Sequence, residues 1–297
     1  MKRYGLILLL FLFIPTLLSA QLWKRYRKQV TGGVGVTNFL GDLGGGDDIG
    51  VNDFTDLDFA ATRLTINAGF KYQLTKSLTA RANLTWGLLK GDDEFTDEQY
   101  RSGRDLQFRS NIWEASIIGE FYLLQNSRNG AYRLRGVRGK KGLRMDLYLL
   151  GGVGLMYFNP KGQLDNGQWV ALQPIGTEGQ GLDGQKSKYN RTTLTIPLGI
   201  GVAKAIDRYW TIGVEFSHRI TFSDYIDDVG GKFYNTQEII DANGGNESIR
   251  PLITSSNGAN GIEGEKRGGS DNNDSFMTGT VTITKKLLAR RRSRPKF

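Results

Sequence analysis

Hydrophobic and polar residues alternate one by one through residues 63–89. The apolar positions are Leu64, Ile66, Ala68, Phe70 and Tyr72, and then Leu78, Ala80, Ala82, Leu84, Trp86 and Leu88. Successive side chains of a β-strand point to opposite faces, so each run predicts a strand with one apolar face and one polar face. The short polar break at residues 75–77 predicts a tight turn, and the two strands are therefore expected to form an antiparallel hairpin.

The same alternation recurs in six further segments, at residues 29–38, 108–124, 145–158, 192–204, 209–222 and 275–286. The connections at 75–77 and 206–208 are very short, whereas those at 39–61, 90–107, 159–190 and 223–274 are long. This layout is typical of outer-membrane barrels. The sequence predicts an all-β fold, an eight-stranded antiparallel transmembrane β-barrel of the OmpA/OmpX type with long extracellular loops. Residues 125–144, expected to form a short turn, are instead a long basic segment.

The N-terminus has the features of a secretory signal. Lys2 and Arg3 precede an apolar run at residues 5–18, and Leu18-Ser19-Ala20 offers a cleavage site. A run of about 14 residues is shorter than the ~20 that a membrane helix needs. We predict a signal peptide at 1–20, an outer-membrane barrel at 21–288 and a basic periplasmic tail at 289–297. Both termini of the mature chain are then expected in the periplasm.

Composition excludes several kinds of site. The chain has no cysteine and a single histidine, His218, so disulfides, thiolate metal sites and multi-histidine metal sites are excluded. His218 falls on an apolar face, and we expect it near the membrane interface. Acidic clusters at 91–94 and 224–228 lack the spacing of a calcium loop, and we expect them to be solvated loop acids. We predict no catalytic, cofactor-binding or metal-binding residue, and no enzymatic activity.

Charged residues recur on the polar faces of the strands. An eight-stranded barrel is only wide enough inside to be filled by side chains. We therefore predict that these residues form a structural network of ion pairs that plugs the barrel, which argues against a porin. A catalytic role for the glutamates is the less favoured alternative. The network residues are Arg81, Glu114, Glu120, Glu215 and Arg219, with Arg63 and Lys71 on the same faces.

Charge is sorted by side along the chain, which has a net charge of +9. The predicted extracellular loops are acidic, and the predicted periplasmic segments are basic. The basic segments either contact anionic phospholipid or dock a periplasmic protein, and the sequence favours neither. Nucleic acid is not an expected partner, because no set of stacking aromatic residues accompanies the arginines. The candidate docking residues are Arg133, Arg135, Arg138, Lys140, Lys141, Arg290, Arg291 and Arg292.

Several loop motifs resemble those of a known family. They are FNPK at 158–161, QPIGTEGQG at 173–181, SDYIDDV at 223–229 and LGDL at 40–43. These segments and the hairpin at 63–89 are similar to a family of Bacteroidota outer-membrane barrels that includes the type IX secretion system protein PorG. The resemblance covers nearly all of the mature chain, and the run at 173–181 is its most specific motif. The arginine-rich tail after the last strand departs from the usual ending of such a barrel.

The resemblance implies an integral outer-membrane protein without enzymatic activity or cofactor. Its partners would be outer-membrane lipid and the periplasmic ring proteins of the secretion machine, a lipoprotein and its partner. The leading hypothesis is a plugged barrel that anchors or scaffolds the type IX secretion and gliding apparatus. A surface-binding, adhesin-like barrel that uses loops 159–190 and 223–274 is the alternative. A hydrolase in the barrel wall is disfavoured by the single histidine on the lipid-side face.

Overall fold

The computed structural model describes residues 26–41, 43, 61–93, 106–125, 145–254, 263–269 and 273–288. The predicted signal peptide, the basic segment at 126–144 and the tail at 289–297 lie outside these residues. All eight candidate docking residues fall in the latter two segments.

Nine strands are present in the described chain. They are β1 (Lys28–Leu40), β2 (Arg63–Gln73), β3 (Leu78–Asp92), β4 (Gln107–Gln125), β5 (Asp146–Gln163), β6 (Trp169–Ala171), β7 (Thr192–Ala205), β8 (Trp210–Thr221) and β9 (Ser275–Lys286). Two short helices, α1 (Thr236–Ala242) and α2 (Arg250–Ile253), flank a 3-10 turn at Glu247–Ile249. None of the helices in the described residues is long and apolar enough to cross a membrane.

Eight of the strands form a closed antiparallel ring. Each strand pairs with its neighbour in the chain, and β9 pairs with β1 through a register that sets Val34 opposite Val281. The short β6 pairs only with the far end of β5 and lies outside the ring. Closure leaves no unpaired sheet edge around the ring. The predicted eight-stranded antiparallel barrel is confirmed.

The prediction that residues 159–190 and 223–274 are plain loops is partly wrong. β5 continues five residues past its predicted end at 158, and the loop at 159–190 contains β6. The loop at 223–274 contains α1, α2 and the 3-10 turn. These elements are three to seven residues long, too short for a hydrophobic period to stand out in the sequence. Burial of their apolar side chains stabilises these elements, because Ile239, Ile240 and Leu252 pack together in one cluster.

The outward face of the ring is apolar over most of its height. Its exposed side chains include Leu64, Ile66, Phe70, Leu84, Trp113, Ile117, Phe121, Leu149, Val153, Leu155, Leu198, Phe216 and Val281. In register, the apolar band runs from the row containing Phe121 to the row containing Trp113. Leu123, two residues nearer the turn end than Phe121, extends the band. From Leu123 to Trp113 it spans about 33 Å along the strand and about 25 Å along the membrane normal for a tilt of about 40°, which matches the ~25 Å apolar band of outer-membrane barrels. The chain therefore has the architecture of an outer-membrane β-barrel, and its outward face is the lipid-facing surface.

Two tight turns lie at one end of the barrel, which we name the turn end. In the β2–β3 turn, the Thr75 hydroxyl accepts hydrogen bonds from the backbone amides of Ser77 and Leu78. In the β7–β8 turn, the Asp207 carboxylate accepts from the amides of Tyr209 and Trp210, and these bonds lower its pKa. Side chains that bond local amides favour such turns. The opposite end, where the long connections lie, is the loop end.

Candidate functional site

Four buried charged side chains, those of Lys71, Arg81, Glu120 and Glu215, lie together inside the turn-end half of the barrel. Lys71 Nζ lies 2.8 Å from Glu120 Oε1, and Arg81 Nη1 lies 3.2 Å from the same oxygen. Arg81 Nη1 also donates to both oxygens of Glu215, at 2.8 and 3.0 Å. Two cations and two carboxylates balance within this group. Such balance is needed because a buried charge without a partner costs several kcal/mol.

Strand register explains why these charges come together. Lys71 on β2 and Arg81 on β3 stand directly opposite each other, where like charges repel. Glu120 and Glu215 reach between them from β4 and β8. Tyr122 and Tyr148 complete the group, since the Tyr122 hydroxyl donates to Glu120 at 3.1 Å and the Tyr148 hydroxyl donates to Glu215 at 2.7 Å.

A second ion pair lies nearer the loop end. Arg219 Nε donates to Glu114 Oε2 at 3.0 Å, and both side chains are buried. The Thr195 hydroxyl donates to the same oxygen at 3.3 Å, and Arg219 also donates to the hydroxyls of Ser217 and Thr278. All five residues of the predicted interior network thus lie inside the barrel, in two groups. Arg63 lies apart from both and donates to the Thr62 carbonyl oxygen.

An apolar cluster fills the barrel between the ion pairs and the loop end. Its members include Phe39, Leu89, Phe108, Ile112, Met156, Phe158 and Phe276 from the strands, and Leu43, Leu106, Ile226 and Val229 from the connections. This layer was not predicted from the sequence. The signal was present, because the inward positions of β4 change from Glu120 and Glu114 to Ile112 and Phe108 towards the loop end. The described side chains therefore block the interior with two ionic groups and one apolar layer.

The connections at the loop end fold into a cap around Arg267. The cap comprises the described residues of 164–190 and 223–269. Arg267 is buried, and its Nη1 donates to the Asp228 carbonyl oxygen at 2.7 Å, to Thr177 Oγ1 at 3.0 Å and to Glu178 Oε1 at 3.2 Å. Its Nη2 donates to the Leu252 carbonyl oxygen at 3.3 Å. One side chain thereby ties three parts of the cap together.

Asp228 is the acidic centre of the cap. It has a positive φ of 72°, a conformation that few residues other than glycine adopt. Its carboxylate accepts hydrogen bonds from the Thr177 and Tyr189 hydroxyls and lies 3.6 Å from Arg267 Nη1. Burial raises the pKa of Asp228 to about 6, although Arg267 and the hydroxyl donors oppose that rise. The pKa stays raised because the single Arg267 guanidinium is shared between two buried carboxylates, Asp228 and Glu178.

The expectation that the acidic clusters are solvated is wrong for three of their aspartates, whereas Asp224 is half-buried. Asp93, Asp227 and Asp228 are fully buried. Asp227 accepts from the amides of Leu43 and Val229, so it bonds backbone that would otherwise lack a partner. A buried carboxylate is stabilised by such donors, and sequence spacing does not reveal them. Among the described residues, no group of three or more histidine, aspartate or glutamate side chains could hold a metal ion.

Two of the loop motifs that carry the family resemblance, those at 173–181 and 223–229, lie in this cap. Glu178, from the run at 173–181, accepts from the amides of Gly230 and Gly231, which directly follow the run at 223–229. Tyr189 stacks on Tyr225 with ring centroids 4.8 Å apart. Next to the cap lies a cavity of about 320 Å³, lined by Leu164, Leu172, Val229, Leu252, Gln163 and Arg267 among others. Arg267 belongs to no motif, and its central position in the cap was not predicted from the sequence.

The basic side chains outside the interior include His218 and several residues at the turn end. His218 lies on β8 opposite Leu198 and Met277, among the lipid-side residues, as expected of its apolar face. Bases near the turn end include Lys28, Lys76, Lys204, Arg208 and Lys285. The ammonium of Lys285 lies 5.1 Å from the Trp210 ring centroid.

Comparison with solved structures returns small barrels from bacterial surfaces. Ail, the attachment invasion locus protein of Yersinia pestis, in complex with the heparin analogue sucrose octasulfate, is 9% identical and has a TM-score of 0.38, with 88% of this chain and 97% of that chain covered. Neisserial surface protein A is 10% identical at a TM-score of 0.37, over 88% and 97%. The outer membrane enzyme PagL is 12% identical at 0.33, over 87% and 99%.

Likeness at this level carries no information about ligands or activity. No family model matches the chain, and no curated protein matches it.

Proposed function

We propose that this protein is a plugged outer-membrane barrel that anchors or scaffolds periplasmic ring proteins of a type IX secretion and gliding apparatus, without catalysis. The observation that carries the proposal is the filled interior. A barrel blocked by the Lys71–Arg81–Glu120–Glu215 group and by an apolar layer is suited to hold other proteins at the membrane rather than to conduct solutes.

The proposed orientation sets the turn end in the periplasm and the cap outside the cell. Short turns on the periplasmic side and long loops outside are the usual arrangement of such barrels. The described turn end is basic, with Lys76, Lys204 and Arg208 near it, and the candidate docking arginines at 133–138 and 290–292 follow or precede strand ends on the same side. A basic face of this kind can steer and orient an acidic partner. The resemblance to the secretion family supplies the identity of that partner.

Co-purification from detergent-solubilised outer membrane tests the docking surface. One variant reverses the charge of Arg133, Arg135 and Arg138, and a second reverses that of Arg290, Arg291 and Arg292. We expect both to lose the ring proteins while the barrel remains folded. The matched control reverses Lys186 and Lys232, which are exposed lysines of the cap, and should retain the ring proteins. Equal recovery with all three variants would contradict docking through the basic segments.

A second candidate function, surface binding, is favoured by the cap. Its loops are packed around buried Arg267 and border a cavity, which is more order than a purely protective loop requires. Replacing residues 164–190 and 223–269 by short linkers separates the two candidates. Loss of binding to a host or matrix surface with secretion intact would favour the surface-binding role. Loss of secretion would favour the scaffold.

A further inference from the structure

Three cations stand side by side on the outward face of the barrel near the loop end. Lys90 on β3 is directly opposite Arg109 on β4, and Arg109 is directly opposite Lys161 on β5. Directly facing like charges destabilise a sheet unless an anion compensates them. Lys90 has such a partner in Asp92, at 3.0 Å. Within the described residues, no ion pair to a carboxylate is formed by Arg109 or Lys161.

A fourth cation joins this row from the segment before β7. Arg191 Nη1 donates to Asn159 Oδ1 at 3.2 Å, and its guanidinium lies 5.6 Å from the centroid of the Tyr157 ring. Both Asn159 and Tyr157 point outward from β5. We name Lys90, Arg109, Lys161 and Arg191 the basic row.

Two of the four cations are held in place by aromatic rings. The Arg109 guanidinium carbon lies 4.1 Å from the centroid of Trp169, and Arg191 lies over Tyr157. Stacking leaves the edges of a guanidinium free to donate hydrogen bonds while restricting its motion. A pre-organised guanidinium is suited to bind a planar or tetrahedral oxyanion, and phosphate is the common example.

The basic row lies at a defined height on the barrel. Trp86, Trp113 and Tyr157 form the aromatic row at the upper margin of the apolar band, also in direct register. Lys90, Arg109 and Lys161 lie four residues further along these strands, and Arg191 lies between the two rows, beside Tyr157 and Asn159. That separation is about 13 Å along a strand and about 10 Å along the membrane normal for a tilt of about 40°. Aromatic girdles mark the membrane interface, so the basic row lies at the level of the lipid headgroups.

Among the described residues, the outward cations near the loop end lie on one side of the barrel. Near the loop end, β8 and its following residue present Ile220 and Phe222 outward, and β1 presents Val36. A general preference for cations at the membrane interface predicts them around the whole circumference. Clustering on β3, β4 and β5 indicates one local binding surface instead.

We propose that the basic row binds the phosphate groups of an anionic glycolipid in the outer leaflet, with the acyl chains lying against the apolar face below. The surface directly beneath the row is suited to acyl chains. It contains a shallow apolar groove lined by Phe70, Leu84, Ile117, Val153, Leu155 and the small residues Ala68, Ala82 and Ala115. This assignment rests on the proposed orientation, which puts the loop end at the outer leaflet.

The test uses the full mature chain in phospholipid nanodiscs with bis-phosphorylated lipid A as the probe. Bound lipid is counted by native mass spectrometry after release from the disc. We expect the wild-type chain to retain lipid A. The double variant Arg109→Gln/Lys161→Gln should retain at least about tenfold less, because it loses the charge-assisted hydrogen bonds that a guanidinium and an ammonium donate to phosphate. The variant Trp169→Leu keeps all four charges but removes the ring under Arg109, and should fall between the two.

The matched control is Lys204→Gln/Lys285→Gln, which removes two outward lysines near the turn end. It should retain lipid A as the wild-type chain does. The proposal would be overturned if the control lost as much lipid A as the Arg109/Lys161 variant. It would also be overturned if the wild-type chain retained dephosphorylated lipid A as well as it retains the phosphorylated form. Displacement of lipid A by inorganic phosphate alone would assign the row to a free anion and overturn the lipid assignment. A nanodisc exposes both leaflets, so lipid A can reach the basic row whichever way the barrel is inserted. The result therefore does not depend on whether the turn end docks ring proteins.

Discussion

The Glu114–Arg219 pair offers a direct test of how the interior is stabilised. Arg219→Met leaves the fully buried Glu114 carboxylate with only the Thr195 hydroxyl as a donor. Removing one partner of a buried pair costs about 3–5 kcal/mol, because the remaining charge is uncompensated. Glu114→Gln leaves Arg219 with hydroxyl partners alone, and we expect a loss of similar size. The double variant should cost about 2–3 kcal/mol less than the two single losses together.

Urea unfolding of the chain reconstituted in lipid vesicles measures these free energies. Trp86 and Trp113 lie on the outward face, and their fluorescence reports removal from lipid. The control cycle uses Arg250 and Glu247, an exposed pair in the cap at 2.6 Å. Such pairs are worth at most about 1 kcal/mol, so its midpoint should hardly change. Additive losses for Glu114 and Arg219, within about 0.5 kcal/mol, would refute the view that they act as a buried pair.

Three further predictions concern the cap and the packing of the interior. Arg267→Met should loosen the cap, seen as faster proteolytic cleavage within residues 223–254, while the heat-dependent gel shift of the folded barrel is unchanged. The raised pKa of Asp228 means that the folded cap binds more protons than the unfolded cap between about pH 4 and 6. Cap stability is then highest below that window and falls as pH rises through it, by about 1.4 kcal/mol per unit of pKa shift, and Asp228→Asn should abolish this trend in hydrogen exchange. Gly201→Ala should destabilise the barrel by about 1–3 kcal/mol in urea, because the added methyl carbon would lie 2.2 Å from Tyr148 Cζ and displace the hydroxyl that bonds Glu215; a loss below about 0.5 kcal/mol would contradict this.

The strands of the ring were predictable because one face of each meets lipid and the other meets a filled interior. That contrast imposes a period of two over ten or more residues, as in β4, where Trp113 and Ile117 alternate with Glu114 and Ser116. The two faces are also distinguishable by charge. The ionic character of the interior could therefore be read from the sequence, although the partner of each charge could not.

The cap could not be predicted to the same extent. Arg267, Asp228 and Thr177 are separated by many residues in the chain, and they meet only when several connections fold together. No fixed spacing encodes such a site. The apolar layer near Phe108 and Phe276 was missed for a different reason. Apolar residues on the inward face break the polar pattern by which the interior was identified, and they are explained only once the cap is seen to cover that end.

Site-specific quenching from the lipid phase tests most directly whether the apolar face meets lipid around a filled interior. The chain has no cysteine, so single cysteines can be labelled with an environment-sensitive dye after reconstitution. Leu84→Cys and Ile117→Cys replace outward side chains, while the neighbouring Asn83→Cys and Ser116→Cys replace inward ones. We predict strong quenching by a bromolipid at residues 84 and 117 and weak quenching at 83 and 116. The reverse order would contradict a transmembrane barrel with a filled interior.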